Sequence, residues 1–279
     1  MQIELIGCTS AGKSTFARSI LSASRGAGAG VVLGEDLVLG LLGLRPETPW
    51  RALALNLAGV AAGVRWWRTH RAFLAWVLGV LGSLPISPLA RAHTLRNVLK
   101  RLGIYELVRR HSSGDQIVLV DEGVLQVAHY LLVHLSARVD PDLVREFARL
   151  TPRPDVAVYL RPPTEVLAAR TLARGHKRIP GPTPERVSAF VGRAVETFDA
   201  LAHHLAADGR LITIAGVEPP TITVDRDDEP QVVRALAILA RGAPIDVPSA
   251  AVASADAPTH PPTGRHLEAG SGLHGPTLP

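Results

Sequence analysis

Gly7-Cys8-Thr9-Ser10-Ala11-Gly12-Lys13-Ser14 fits the spacing G-x-x-x-x-G-K-[ST] at every position, directly after the apolar run Ile3–Ile6. No other stretch of the chain restricts its fold as tightly. The glycines let the backbone turn so that successive N–H groups converge, and the helix that follows offers its positive N-terminal end. Such a loop works only between a buried strand and a helix. The sequence meets that condition, with an apolar strand over Ile3–Ile6 and a helix from Gly12 to Ser22 that sets Phe16 and Ile20 four apart on one face. A chance match in a chain of 279 residues is on the order of one per cent. Gly7, Thr9, Ser10, Ala11, Gly12, Lys13, Ser14 and Thr15 are therefore the candidate cofactor-binding residues for ATP. Lys13 is expected to reach the β- and γ-phosphates and the Ser14 hydroxyl to coordinate Mg²⁺.

Downstream, apolar runs alternate with helical patterns. "GVVLGED" (Gly30–Asp36) reads as a second strand ending in Glu35 and Asp36, "QIVLVDEG" as a third ending in Asp121, and "DVAVYL" as a fourth. "LITIAG" and "TITVD" supply a last strand or pair, and "PQVVRALAILA" an apolar-faced helix. The order predicts an α/β, three-layer P-loop fold whose central sheet is mostly parallel and flanked by helices. Asp121, closing a strand of this sheet, is placed to serve a metal–phosphate cluster together with Ser14. Glu122 has three readings: activating a water, touching substrate, or ending a strand in solvent. Glu35 and Asp36 are candidate acceptor-side acids, with two helix-opening acids as the plainer alternative.

A third chemistry-bearing element lies in "YLRPPTEVLAARTLARGHKR". A helix starting at Thr164 sets Arg170 and Arg174 four apart on one face, and Lys177 and Arg178 follow past Gly175. Guanidinium groups on a hinged segment suit a lid over transferring phosphates, although the helix dipole also favours a basic last turn. Thr183-Pro184-Glu185 marks a further helix start. The domain is expected over residues 1–242, with an apolar helical insertion at 37–111 and the lid at about 170–182. Residues 243–279, rich in Pro, Gly, Ala and Ser, read as a disordered tail.

Within the insertion, Ala72 to Ala90 carries no charge, but Pro85 and Pro88 leave only Ala72–Leu84 as clean helix, shorter than the roughly 20 residues a membrane span needs. Buried helices on the substrate side are one reading. The other is peripheral membrane contact through 65–84, where Arg65-Trp66-Trp67-Arg68 mixes basic and indole groups. With 47% hydrophobic residues the chain can bury a substantial core, and its net charge of +5 suits polyanionic partners without choosing among them. Cys8 is the single cysteine, which excludes an internal disulfide. The histidines show no zinc spacing, no N-K-x-D selects guanine, and no specific nucleic-acid partner is expected. With no secretory leader pattern at its start, the chain is expected to be cytoplasmic.

The phosphate loop, the acid-tipped second strand, the Asp-ended third strand and "VYLRPPTEVLAARTLARGHKR" together resemble the nucleoside and nucleotide kinase superfamily, thymidylate kinases most of all. The resemblance covers roughly residues 1–36 and 115–242. It implies that Lys13 and Ser14 bind phosphate and metal, that Asp121 serves the metal cluster, and that Arg170, Arg174 and Arg178 belong to a lid. It also implies a carboxylate near Glu35 that orients an attacking hydroxyl. Two features depart from thymidylate kinases: Glu122-Gly123 stands where they usually carry arginine after the aspartate, and the segment Leu37–His111 is far more apolar. The leading expectation is an ATP/Mg²⁺-dependent kinase acting on a nucleotide or other small-molecule acceptor. An ATP-hydrolysing switch using Asp121 and Glu122 is the runner-up, and a nucleotide-gated protein at a membrane surface the third class. A homodimer is compatible with the sequence.

Overall fold

The computed structural model describes residues 1–26, 30–113, 116–136, 138–175, 179, 181–207, 211–215 and 221–224. Strand β1 (Gln2–Ile6) feeds the phosphate loop and helix α1 (Lys13–Gly26). After β2 (Val31–Leu33) come four helices: α2 (Gly34–Leu41), α3 (Arg51–Arg65), α4 (Arg71–Ser83) and α5 (Pro88–His111). Then follow β3 (Ile117–Val120), a π-helical turn (His129–His134), α6 (Pro141–Leu150), β4 (Val156–Arg161), α7 (Thr164–Arg174), α8 (Pro184–Ala206), β5 (Leu211–Ala215) and β6 (Thr221–Val224). The strands form one sheet in the order β2-β3-β1-β4-β5-β6. The first five run parallel, and β6 returns antiparallel along β5. The expected α/β architecture is present, with the final strands as a pair. The expected closing helix, the tail at 243–279 and the lid residues Lys177 and Arg178 lie outside the described residues.

Burial on both faces explains why these strands read as continuous apolar runs. Ile3, Leu5, Ile117, Leu119, Val156 and Val158 point into a core shared with Ile20 of α1, Leu167 of α7 and Val187 to Val195 of α8. Their neighbours Ile6, Ala157 and Tyr159 point the other way, toward α4, α5, α6 and the far half of α8. Val118 and Val120 meet α2, α3 and α5 in a third cluster.

The charge-free run at 72–84 is core. Phe73, Leu74, Val77, Val80 and Leu81 of α4 are buried, and Phe73 and Trp76 pack around Phe147 of α6. Arg65-Trp66-Trp67-Arg68 divides by side chain. Trp66 is half-buried under the Arg110 guanidinium, 4.8 Å from its ring centroid, whereas Trp67 is exposed. No helix among the described residues is long and apolar enough to cross a membrane.

Helices α3 and α5 touch backbone to backbone. A Cβ added at Gly103 would collide with the Gly59 carbonyl oxygen, and one at Gly59 would lie 2.7 Å from the Lys100 carbonyl oxygen. Glu106 of α5, almost wholly buried, accepts hydrogen bonds from His70 (2.7 Å), Arg109 (2.9 Å) and Arg110 (2.8 Å). Burial pushes its carboxyl up, but these three donors outweigh burial and hold it at about 2. The carboxylate thereby ties the turn before α4 to α5.

One boundary differs from the sequence reading. Gly34 opens α2, so Glu35 and Asp36 lie in the first turn of that helix rather than at a strand end. The helix dipole favours carboxylates there, and Gly34 lets α2 begin hard against the Val120 side chain, 3.0 Å from where a Cβ would stand.

Candidate active site

Strand register sets the site. Leu33 pairs with Leu119, and Glu4 pairs with Val120. Within three residues beyond these pairs, Glu35, Asp121 and the start of the phosphate loop arrive at the same carboxyl edge of the sheet. Ligands of open α/β sheets bind outside this edge, where the strand order reverses.

The loop has the turns its sequence calls for. Gly7 (φ 137°), Ser10 (φ 63°) and Gly12 (φ 92°) all take positive φ. At Gly7 a side chain is excluded twice over, because a Cβ would also lie 2.6 Å from the Leu160 carbonyl oxygen. Lys13 begins α1, is buried, and donates to the Gly7 and Cys8 carbonyls at 3.0 Å each. Burial lowers its pKa, opposed by the charges of Glu122 and Asp121. Ser14 Oγ donates to Asp121 Oδ2 at 2.5 Å, joining the loop to the end of β3. Burial raises the Asp121 pKa against the Ser14 bond and the Lys13 charge.

The donor set suits Mg²⁺. Asp121 Oδ1 and Ser10 Oγ are buried polar atoms without a hydrogen-bond partner among the described residues. One hydroxyl and one carboxylate are what magnesium usually takes from a protein when phosphates and water complete its shell. No group of three or more His, Cys, Asp or Glu side chains that could hold a metal ion occurs among the described residues.

Around this centre stand residues that sequence reasoning did not single out. Arg101 of α5 donates to the Glu122 carbonyl, to Glu122 Oε2 at 2.5 Å and to the Tyr130 hydroxyl at 2.7 Å. Burial raises the Glu122 pKa, but Arg101 outweighs it and the net shift is downward. Glu122 is thus an exposed carboxylate that Arg101 pairs and holds below its ordinary basicity. Gln126 donates to the Gly7 carbonyl at 3.1 Å, and His129 Nε2 accepts the Thr9 N–H at 3.3 Å. Below them, Glu4 is fully buried and accepts from the backbone N–H groups of Leu125 (2.7 Å) and Gln126 (3.1 Å). Burial raises its carboxyl to about 8 despite those bonds and Arg101. A readable signal existed for Glu4 alone, an acid inside an apolar strand that must be buried on both faces.

The two acceptor-side acids share one basic partner. Arg51 of α3 pairs with Glu35 at 2.8 Å and with Asp36 at 3.5 Å. Glu35 also acts on the charge states of Asp121 and Lys100, which links it to the end of β3. Arg170 and Arg174 are exposed on α7, and Arg178 lies outside the described residues.

A cavity of about 620 Å³ opens between the first half of α5 and the π-helical turn, lined by Ser87, His93, Thr94, Asn97, Tyr130 and His134 among others. None of its lining side chains is Lys, Arg, Asp or Glu. One of its walls connects to the end of β3 and another to the phosphate loop. Tyr130 bonds Arg101, which bonds Glu122. The His134 ring packs 4.6 Å from the His129 ring, which holds Thr9.

Fold and loop together define a P-loop α/β protein. No family model and no curated protein matches the chain. Among solved structures it is similar to deoxyadenosine kinase from M. mycoides with bound dATP, at 14% identity and a TM-score of 0.42, over 86% of this chain and 100% of that one. It is similar to the same enzyme with bound dCTP at 13% identity and a TM-score of 0.39, over 86% and 99%. The functional reading rests on the loop, the Ser14–Asp121 bond and the cavity rather than on these likenesses.

Proposed function

We propose that the protein is an ATP- and Mg²⁺-dependent phosphotransferase that moves the γ-phosphate to a small-molecule acceptor. The observation that carries this reading is the Ser14–Asp121 bond, which couples the phosphate loop to the carboxyl end of β3 beside Lys13. Loop amides and Lys13 hold the donor phosphates. Ser14 and Asp121 are the residues that would hold Mg²⁺, whose charge would offset that of the phosphates. Arg170, Arg174 and Arg178 form the lid that neutralises the transferring group and excludes water. Glu35 accepts a hydrogen bond from the attacking hydroxyl and orients it, and Asp36 steadies the Arg51 pairing behind it.

Two features support transfer to an uncharged acceptor. Glu122, held by Arg101 with a lowered pKa, is a poor base for activating water, which favours transfer over hydrolysis. The cavity offers hydroxyls, an amide and imidazoles but no cation. That lining suits a neutral, hydroxylated molecule such as a nucleoside or sugar better than the nucleoside monophosphate that a thymidylate kinase would take.

The test is incubation of the protein with Mg²⁺ and γ-labelled ATP alongside nucleosides, nucleotides, sugars, aminoglycoside-like alcohols and polyprenols. Label in a neutral acceptor is the expected result. Acceptor-independent free phosphate alone would replace this reading with an ATP-hydrolysing switch. Lys13→Ala removes the phosphate-loop cation and is expected to lower turnover at least about 100-fold, on the scale of losing one charge-stabilising group. Full turnover in that variant would exclude the loop as the nucleotide site.

A further inference from the structure

Helix α3 buries one side and leaves an apolar stripe on the other. Leu55, Gly59, Ala62 and Gly63 are buried, while Leu53, Leu57 and Val64 are each more than half exposed. At 100° per residue Leu53, Leu57, Ala61 and Val64 fall within an arc of about 80°. Trp50 at the start of the helix and Trp67 just past its end are also more than half exposed, and Leu41 and Leu42 add exposed apolar surface at the end of neighbouring α2. An exposed apolar stripe of this kind marks an interaction site.

The charge around the stripe identifies what it meets. Seven arginines and one lysine, and no acidic residue, lie between Glu47 and Glu106. Arg51 and Arg101 are engaged by the carboxylates of Glu35 and Glu122, whereas Arg65 and Arg68 are exposed beside the tryptophans, Arg68 with its guanidinium 5.9 Å from the Trp67 ring centroid. A second copy would present the same arginine-rich face, on which Glu35 and Asp36 already pair with Arg51, and this charge balance opposes self-association. A surface of anionic lipid supplies both an apolar layer for the leucines and negative headgroups for the arginines, with indoles at the boundary.

We propose that the outer face of α3 docks on an anionic lipid surface. Trp50, Leu53, Leu57, Val64 and Trp67 enter the boundary between headgroups and acyl chains, and Arg65 and Arg68 meet the headgroups. The apolar run of α4 takes no part, because Phe73, Leu74, Val77, Val80 and Leu81 are in the core. The inference is independent of the phosphotransfer reading, since none of these residues touches the phosphate loop.

The test is co-sedimentation of the full chain with vesicles of phosphatidylcholine containing about 30% phosphatidylglycerol, against vesicles of phosphatidylcholine alone. The expected result is at least tenfold stronger binding to the anionic vesicles, weakened in high salt, with a blue shift of tryptophan emission that Trp67→Phe reduces. Leu53→Asp/Leu57→Asp changes only exposed positions and is expected to weaken vesicle binding at least tenfold while keeping the thermal midpoint. Arg65→Glu/Arg68→Glu serves as the second variant with the same expectation. Leu78→Asp, exposed on α4, and Lys13→Ala are expected to bind as the unaltered protein does. Absence of binding, equal binding to neutral vesicles, or full binding by both stripe variants would overturn the proposal. So would a concentration-dependent dimer without lipid that Leu53→Asp/Leu57→Asp dissociates.

Discussion

Glu4 stands beneath the segment that follows Asp121, and its protonation state bears on the shape of the site above it. Its carboxyl, raised to about 8 by burial against an ordinary value of 4.5, takes up a proton on folding anywhere between those limits. The native state therefore binds more protons than the unfolded chain in that window. Its contribution to stability is fully present below about pH 4.5, declines as pH rises, and is lost above about 8. Glu4→Gln keeps the shape and the acceptor for the Leu125 and Gln126 N–H groups but removes the titration. Urea denaturation at several pH values between 5 and 8 is expected to show stability falling in the unaltered protein by up to about 1.4 kcal/mol per pH unit, and a flatter profile in Glu4→Gln. Parallel profiles would mean that Glu4 is ionised when folded. Arg101 shows the same economy of placement: one guanidinium holds Glu122 and Tyr130 and so joins the phosphate-loop edge to the cavity wall.

The α3–α5 pair carries the cavity, the Glu106 clamp and the stripe, and its geometry depends on three glycines at the crossing. Gly103 faces the Gly59 carbonyl and the Gly63 amide without a side chain between them. Gly103→Ala gains helix propensity of up to about 1 kcal/mol, but the clash is with backbone rather than a flexible side chain, and overpacking costs typically about 1–3 kcal/mol. The expected net result is a protein destabilised by about 1 kcal/mol or more, read as a lower urea midpoint with unchanged slope. Gly79→Ala on α4, where an added Cβ meets nothing, is the matched control and should be neutral or stabilising. A Gly103→Ala midpoint at or above that of the control would rule out the close crossing. The same element explains what sequence could and could not reveal. The phosphate loop is legible because its backbone turns demand Gly7 and Gly12 and its chemistry demands Lys13 and Ser14, all within eight residues. Helix α5 is covered by α3, by the sheet and by the segment after β3, so apolar and basic residues mix around its circumference and no period singles out Arg101. His129 and Tyr130 reach the site only because the chain packs a π-helical turn against a loop some 120 residues earlier. The acids at 35 and 36 read as a strand end because β2 spans only three residues before α2 begins.

Across the whole molecule, the phosphate loop and the cavity hang from opposite ends of a short chain of contacts. It runs from Thr9 to His129 and His134 on one side, and from Glu122 to Arg101 and Tyr130 on the other. The sheet edge, α1, α5 and the π-helical turn must all be in place for either end to have its shape. Nucleotide binding is therefore linked to folding of the domain as a unit, and ligand that binds only the folded form raises its stability by mass action. At Mg-ATP about 100-fold above its dissociation constant the gain is about 2.7 kcal/mol, and for a domain of this size each kcal/mol moves the midpoint by about 2–4 °C. A thermal melt with Mg-ATP is thus expected to rise by about 5–10 °C over the free protein. Chelating the magnesium with EDTA should remove much of that rise. Asp121→Asn should make ATP stabilisation insensitive to magnesium, because the variant keeps the Ser14 neighbour but lacks the carboxylate charge. A full rise in EDTA, or an unaltered magnesium dependence in Asp121→Asn, would place the metal elsewhere than between Ser14 and Asp121.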